Sequence, residues 1–276
     1  MTNPSRDPPA SGSGRLHVAR SGATATPPSW AARGAGGLPL VIAHRGSSAL
    51  APENSLAAFR RAAADGADGV ELDVLSCATG EVVVFHDDDL QRLGGRPERV
   101  DALSLAELQA VRLTSGATIP TLEEVLDACG PRLLVNVELK APAGVTEEAL
   151  AALVGRVAAL LEAAGAGERT LVSSFDVRAV TLWQKRAPRV RSALLFEKDG
   201  AGRLRRFFTL LGLRPFAAHP ERALCTAAAV RGWHRRGYRV NVWTVDDPGA
   251  LRELRDAGVD GVITNDPARA RRALTE

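Results

Sequence analysis

From Leu38 onward, short β-branched runs alternate with stretches in which Ala, Leu and Arg recur at helical spacing. Strand-like 40–43 precedes helical 55–65, and 69–74 follows. Then come 133–139 with 146–164, 170–173 with 177–186, and 191–196 with 204–211. The series closes with 216–218 and 226–236, 239–244 and 248–257, and 261–264 and 267–274. Eight such repeats within 38–276 predict a (β/α)8 TIM barrel, since an open doubly wound sheet commonly has only about five or six strands.

A ninth strand-like run covers 82–86. Only residues 75–81 separate it from the second strand, and a parallel crossover needs about a dozen or more. The run therefore folds back as a hairpin extension of the second strand, turning at Thr79 and Gly80. That turn brings His86 opposite Glu71 and Asp73.

Before Leu38 the periodicity disappears. Residues 1–37 are Pro, Ser, Gly, Thr and Ala in no pattern, which predicts a disordered leader ahead of a single domain, 38–276. The leader has no apolar run flanked by a basic end and a cleavage site, so it does not read as a secretory signal. No eighteen consecutive apolar residues occur, which excludes a helical membrane span and makes the cytoplasm the expected location. Cys77, Cys129 and Cys225 stand far apart without CxxC spacing, against both a disulfide framework and a zinc cage.

The formal charge of +3 resides in the first 38 residues, where Arg6, Arg15, Arg20 and Arg33 face only Asp7. The remaining residues balance, so no basic stripe for nucleic acid exists. Only Lys140, Lys185 and Lys198 are lysines.

In a barrel of this kind, active sites are built at the carboxyl ends of the strands. The polar residues predicted there include His44-Arg45-Gly46, Glu71-Leu72-Asp73, His86-Asp87, Glu138-Leu139-Lys140, His219 and Thr264-Asn265-Asp266. Glu71 and Asp73 are two apart on a strand and face the same way; Glu138 and Lys140 repeat that spacing on the next barrel strand. Three carboxylates from adjacent strands form an oxygen-donor set for one divalent cation, Mg²⁺ or Ca²⁺. His44 and His86 can exchange protons near neutral pH, while Arg45 and Lys140 supply charge for a phosphate. Together these residues point to phosphodiester chemistry, and the lack of a P-loop argues against nucleotide-driven phosphoryl transfer.

The ordered set Ala43-His44-Arg45-Gly46, Pro52-Glu53-Asn54-Ser55, Gly66-Ala67-Asp68, Glu71-Leu72-Asp73, His86-Asp87, Ile119-Pro120-Thr121-Leu122, Val137-Glu138-Leu139-Lys140, Ser173-Ser174-Phe175, Trp243-Thr244-Val245 and Gly258-Val259-Asp260-Gly261 resembles the glycerophosphodiester phosphodiesterases. The resemblance implies metal-dependent hydrolysis of small glycerophosphodiesters to glycerol 3-phosphate and an alcohol. It implies His44 and His86 as the acid/base pair, Glu71, Asp73 and Glu138 as metal ligands, and Arg45 and Lys140 as phosphate ligands. Phe175 and Trp243 match aromatic positions of the glycerol pocket, and Glu53 and Asn54 match a supporting loop. Two departures stand out: Arg92-Leu93-Gly94 replaces a usual Arg-Thr-Thr, and Thr264-Asn265-Asp266 replaces a usual Thr-Asp. Two rival readings are a lysophospholipase D acting on lipid diesters and a catalytically silent binding domain. The basic amphipathic stretch 203–211 would favour the first through peripheral membrane contact. His219 is a possible pocket residue, and His234 is expected at the surface.

Overall fold

The computed structural model describes residues 29–198 and 213–276. Eight parallel strands close on themselves: β1 (Leu40–His44), β2 (Gly69–Ser76), β4 (Leu134–Leu139), β5 (Thr170–Ser174), β6 (Arg191–Phe196), β7 (Ala217–Pro220), β8 (Arg239–Val242) and β9 (Gly261–Thr264). Closure comes from β1, which pairs with β2 on one side (His44 beside Glu71) and β9 on the other (Ala43 beside Thr264). The chain is a TIM barrel. Its strands are buried on both faces and so read as nearly continuous apolar runs.

β3 (Val82–Val84) runs antiparallel to the end of β2, with Val84 opposite Val74. Gly80 turns the hairpin at φ +99°, and the Phe85 amide donates to the Asp73 carbonyl at 3.1 Å. The strand stops two residues before His86, which frees that side chain to lie over the barrel mouth. Helix α1 (Leu56–Ala64) lies between β1 and β2 in the chain, while three helices, α2 (Gln91–Gly94), α3 (Leu105–Ala110) and α4 (Leu122–Cys129), lie between β3 and β4. The helix that completes the second repeat is α4; Thr121 and Glu124 form its capping box.

The outer ring continues with α5 (Glu147–Ala163), α6 (Val177–Arg186), α7 (Ala227–His234), α8 (Pro248–Ala257) and α9 (Pro267–Thr275). Asp-Pro opens both α8 and α9: Asp247 and Asp266 accept from backbone N–H groups of the first turn, and proline occupies a position that needs no donor. The expected helix at 204–211, and with it the basic stretch 203–211, lies outside the described residues.

The packed body begins earlier than composition suggests. Residues 29–37 were expected in the leader, yet Trp30 is only 2% exposed and joins Leu40, Ile42, Leu134, Leu171, Ala193, Ala217 and Ile263 in the barrel interior. Its indole N–H donates to the Arg169 carbonyl at 2.9 Å, Arg33 donates to the Val259 carbonyl at 3.0 Å, and Arg239 donates to the Ala31 carbonyl. Trp30 thus closes the end of the barrel opposite the strand-end carboxylates. The aperiodic composition around it hid a single large apolar anchor. Trp30→Ala is expected to destabilise the protein by roughly 3–5 kcal/mol, whereas deleting residues 1–28 leaves the melting temperature nearly unchanged. Denaturant titration of both variants checks this.

Candidate active site

The first loop is shaped by backbone conformations that side chains rarely adopt. Arg45 and Asn54 sit at φ +55° and +53°, each a strain of roughly 1–3 kcal/mol held by its surroundings. Between them Gly46 lies at φ +80°, and a Cβ there would stand 2.6 Å from the Ala58 backbone, so the loop can pack on α1 only with glycine. This turn aims the Arg45 amide at Glu71 Oε2 (3.1 Å), and the Asn54 amide side chain reaches Asp73 Oδ2 (2.9 Å).

Glu71, Asp73 and Glu138 are buried, and each offers an oxygen within 4.8 Å of the other two. Burial first, then the Asp73 carboxylate, push Glu71 and Glu138 well above the usual carboxylate range. Arg45 Nε lies 3.2 Å from Asp73, while Lys140 Nζ lies 3.4 Å from Asp73 and 3.0 Å from Glu138. A cluster of hard oxygen donors whose own repulsion favours protonation fits a hard divalent cation. These three residues are the ones that would hold it.

His44 and His86 both face this cluster from the rim of one cavity of about 250 Å³, shared with Arg45, Glu71, Glu138, Lys140, Phe175, Leu195, Trp243 and Thr244. His44 Nε2 stands 4.0 Å from Glu71 Oε2, and its Nδ1 lies 2.7 Å from Asn265 Oδ1. His86 Nδ1 lies 2.6 Å from Asp87 Oδ1. Burial holds both imidazoles below their usual range; Arg45 lowers His44 further, while Asp73 and Asp87 draw His86 back up. Phe175 and Trp243 meet edge to face, ring centres 5.3 Å apart, and form an aromatic wall.

Several contributors were not foreseen as such. Arg92, read only as a departure, donates to both Asp87 (2.6 Å) and Glu53 (2.9 and 2.8 Å) and so ties the hairpin to the first loop. Against the cost of burial, these bonds and the Arg45 charge bring Glu53 down to about 2. Asn265 supports His44. A signal for it existed: Gly261, Ile263 and Asn265 continue one inward-facing alternation off β9. His219 does not line this cavity. It is buried inside the barrel with Nε2 3.0 Å from Asn241 Nδ2, and its carbonyl accepts the Trp243 indole N–H at 2.7 Å. His234 is exposed, as expected, with its Nε2 2.7 Å from Asp260 Oδ2.

Fold and site together define a TIM-barrel enzyme whose buried acidic cluster, able to hold a cation, is flanked by two histidines. The pattern of the glycerophosphoryl diester phosphodiesterase family matches residues 44–269, and the chain belongs to that family. It is 33% identical over 240 residues to a glycerophosphodiester phosphodiesterase of Caldanaerobacter subterraneus subsp. tengcongensis, covering 83% of this chain and 94% of that one. Among solved structures, a glycerophosphodiester phosphodiesterase of Thermotoga maritima shares 31% identity and a TM-score of 0.69, covering 83% of this chain and 96% of that one. An Oleispira antarctica phosphodiesterase, solved with the product sn-glycerol-3-phosphate, shares 26% identity and a TM-score of 0.75, covering 87% and 98% respectively.

Proposed function

We propose that the protein hydrolyses glycerophosphodiesters to glycerol 3-phosphate and an alcohol, using one divalent cation, Mg²⁺ or Ca²⁺. The carrying observation is the convergence of His44, His86, the three carboxylates, Arg45 and Lys140 on one cavity beside an aromatic wall. The product bound by the Oleispira antarctica relative agrees with this reading. No helix among the described residues is long and apolar enough to cross a membrane, and we place the reaction in the cytoplasm.

Each group has a task that its surroundings permit. Arg45 and Lys140 hold the phosphate and stabilise the charge that builds on it. Phe175 and Trp243 face the glycerol carbons. His44 and His86, lining the same cavity as the acidic cluster, take one proton and deliver another to the leaving oxygen. A bound divalent cation supplies Lewis-acid stabilisation of developing oxygen charge. A glycerol diester carries its own nucleophile, the 2-hydroxyl beside the phosphate-bearing carbon, so a cyclic phosphate forms first and water then opens it.

A second trough favours a lipid diester as substrate. It encloses about 800 Å³, begins at Glu138, Lys140 and Phe175, and runs over Ala141, Val177 and Leu182 to Lys185. Phe175, at the junction, is 42% exposed. Product analysis on glycerophosphocholine, glycerophosphoethanolamine, glycerophosphoglycerol and a lysophospholipid separates the two readings. Glycerol 3-phosphate is expected from the first three, with activity lost on chelation and restored by Mg²⁺ or Ca²⁺. A preference for the lysophospholipid establishes the lipid reading; full activity after exhaustive chelation ends the metal proposal, and no cleavage of any diester ends both.

A further inference from the structure

We infer that Asn265, clamped by Asp246, is a positioning residue that fixes the tautomer of His44 and so presents a bare Nε2 to the reacting atoms. The inference rests on His44 taking part in proton exchange, as proposed above, and adds which nitrogen is available and what makes it so.

The geometry leaves one arrangement of protons. Asp246 accepts at Oδ1 from the Asn265 backbone N–H and from the Thr264 hydroxyl, both at 2.8 Å, and its Oδ2 lies 2.6 Å from the Asn265 side-chain nitrogen. A carboxylate accepts and an amide nitrogen donates, so the orientation of the Asn265 amide is set by its chemistry. Its Oδ1 must then be the atom 2.7 Å from His44 Nδ1, and a carbonyl oxygen can only accept. Nδ1 therefore carries the hydrogen. In the neutral ring the lone pair is left on Nε2, the nitrogen that stands 4.0 Å from Glu71 Oε2 and faces the acidic cluster. Ser48 Oγ, 2.8 Å from the same Oδ1 and 2.8 Å from the His44 carbonyl, braces the ring from the loop side.

His86 is backed differently. Its Nδ1 meets the carboxylate of Asp87, itself held by Arg92, and a full negative charge behind an imidazole stabilises the protonated ring. The amide behind His44 carries no net charge. The two histidines are thus prepared for unlike tasks, His44 as proton acceptor and His86 as proton donor. The adjacent Asp266 is engaged elsewhere, accepting from the Arg269 amide as the cap of α9. The Thr264-Asn265-Asp266 run therefore divides two roles between neighbouring residues.

The test uses the full chain with Mg²⁺ or Ca²⁺ present and combines turnover with ¹⁵N–¹H correlation of the histidine rings, the His44 signals being assigned from their loss in His44→Ala. The native protein is expected to show His44 protonated at Nδ1. Asn265→Ala should shift the ring toward the Nε2–H tautomer and lower kcat by about 10–100-fold, the range typical for partners behind a reacting ligand, with KM little changed. Asn265→Asp sets two carboxylates face to face and should be at least as impaired. Adding Asp246→Asn to it restores a donor between them and should recover the Nδ1–H signal, which keeps the test valid if Asn265→Ala does not fold. An unaltered tautomer and kcat in Asn265→Ala, or no recovery in the double variant, overturns the inference. Full activity in His44→Ala overturns the underlying role of His44 instead, whatever the Asn265 variants do.

Discussion

His44→Ala and His86→Ala are each expected to lower turnover by about 10²–10⁴-fold, the usual contribution of a positioned acid or base, while the barrel stays folded. Both side chains are rim residues with polar partners rather than core packing, so circular dichroism and thermal melts should change little. Replacing the natural alcohol by an activated leaving group such as p-nitrophenol separates their roles. Such a group departs without a proton, so His86→Ala should recover much of its rate on the activated diester while His44→Ala stays impaired on both. Because the two act in one mechanism, the double variant should be much less than multiplicatively worse. A near-normal rate in either single variant removes that residue from the chemistry; equal recovery in both removes the division of labour.

An analogue without the glycerol 2-hydroxyl is expected to bind as a competitive inhibitor and to be cleaved orders of magnitude more slowly than the natural diester. The reason is intramolecular advantage: a correctly placed internal nucleophile has an effective concentration of about 10⁵–10⁸ M relative to the same group free in solution. Phosphate, aromatic wall and histidine positions are untouched by the deletion, so binding should persist. Phosphorus NMR during turnover of the natural substrate should show a cyclic phosphate before glycerol 3-phosphate accumulates. If the analogue turns over as fast as the diester, water is the direct nucleophile and the cyclic route is wrong.

Much of this was legible from one dimension because strand periodicity carries direction. Glu71 and Asp73 had to face one way, and Glu138 with Lys140 repeated the spacing on the strand that pairs beside them. The minimum length of a parallel crossover was enough to place His86 over the barrel. Loops carry no such periodicity. Arg92, which bridges Asp87 to Glu53, reaches a partner 39 positions away from an insertion whose path the sequence does not encode in any repeat. Trp30 was missed for the opposite reason: one anchor in a stretch rich in Gly, Ser and Pro leaves no period at all, yet it fills the barrel floor. Asn265 lay in view as a departure from the family pattern, and its meaning depended on Asp246, a partner 19 positions away.

The hairpin that delivers His86 divides the proposed catalytic apparatus between two kinds of chain. The carboxylates and His44 stand on barrel strands, with Lys140 directly after β4, and the ladder of those strands tolerates no insertion, since one added residue would turn every side chain beyond it inside out. His86 stands instead just past the returning strand of an appended hairpin, pinned by the Phe85 backbone bond to Asp73 and, through Asp87, by Arg92, and is followed by a long excursion that rejoins the barrel only at β4. That excursion can lengthen or shrink without disturbing the ladder, provided the two pins survive. A change of length there borders the cavity without moving the three carboxylates, so the reach of the substrate pocket can change independently of the proposed chemical centre.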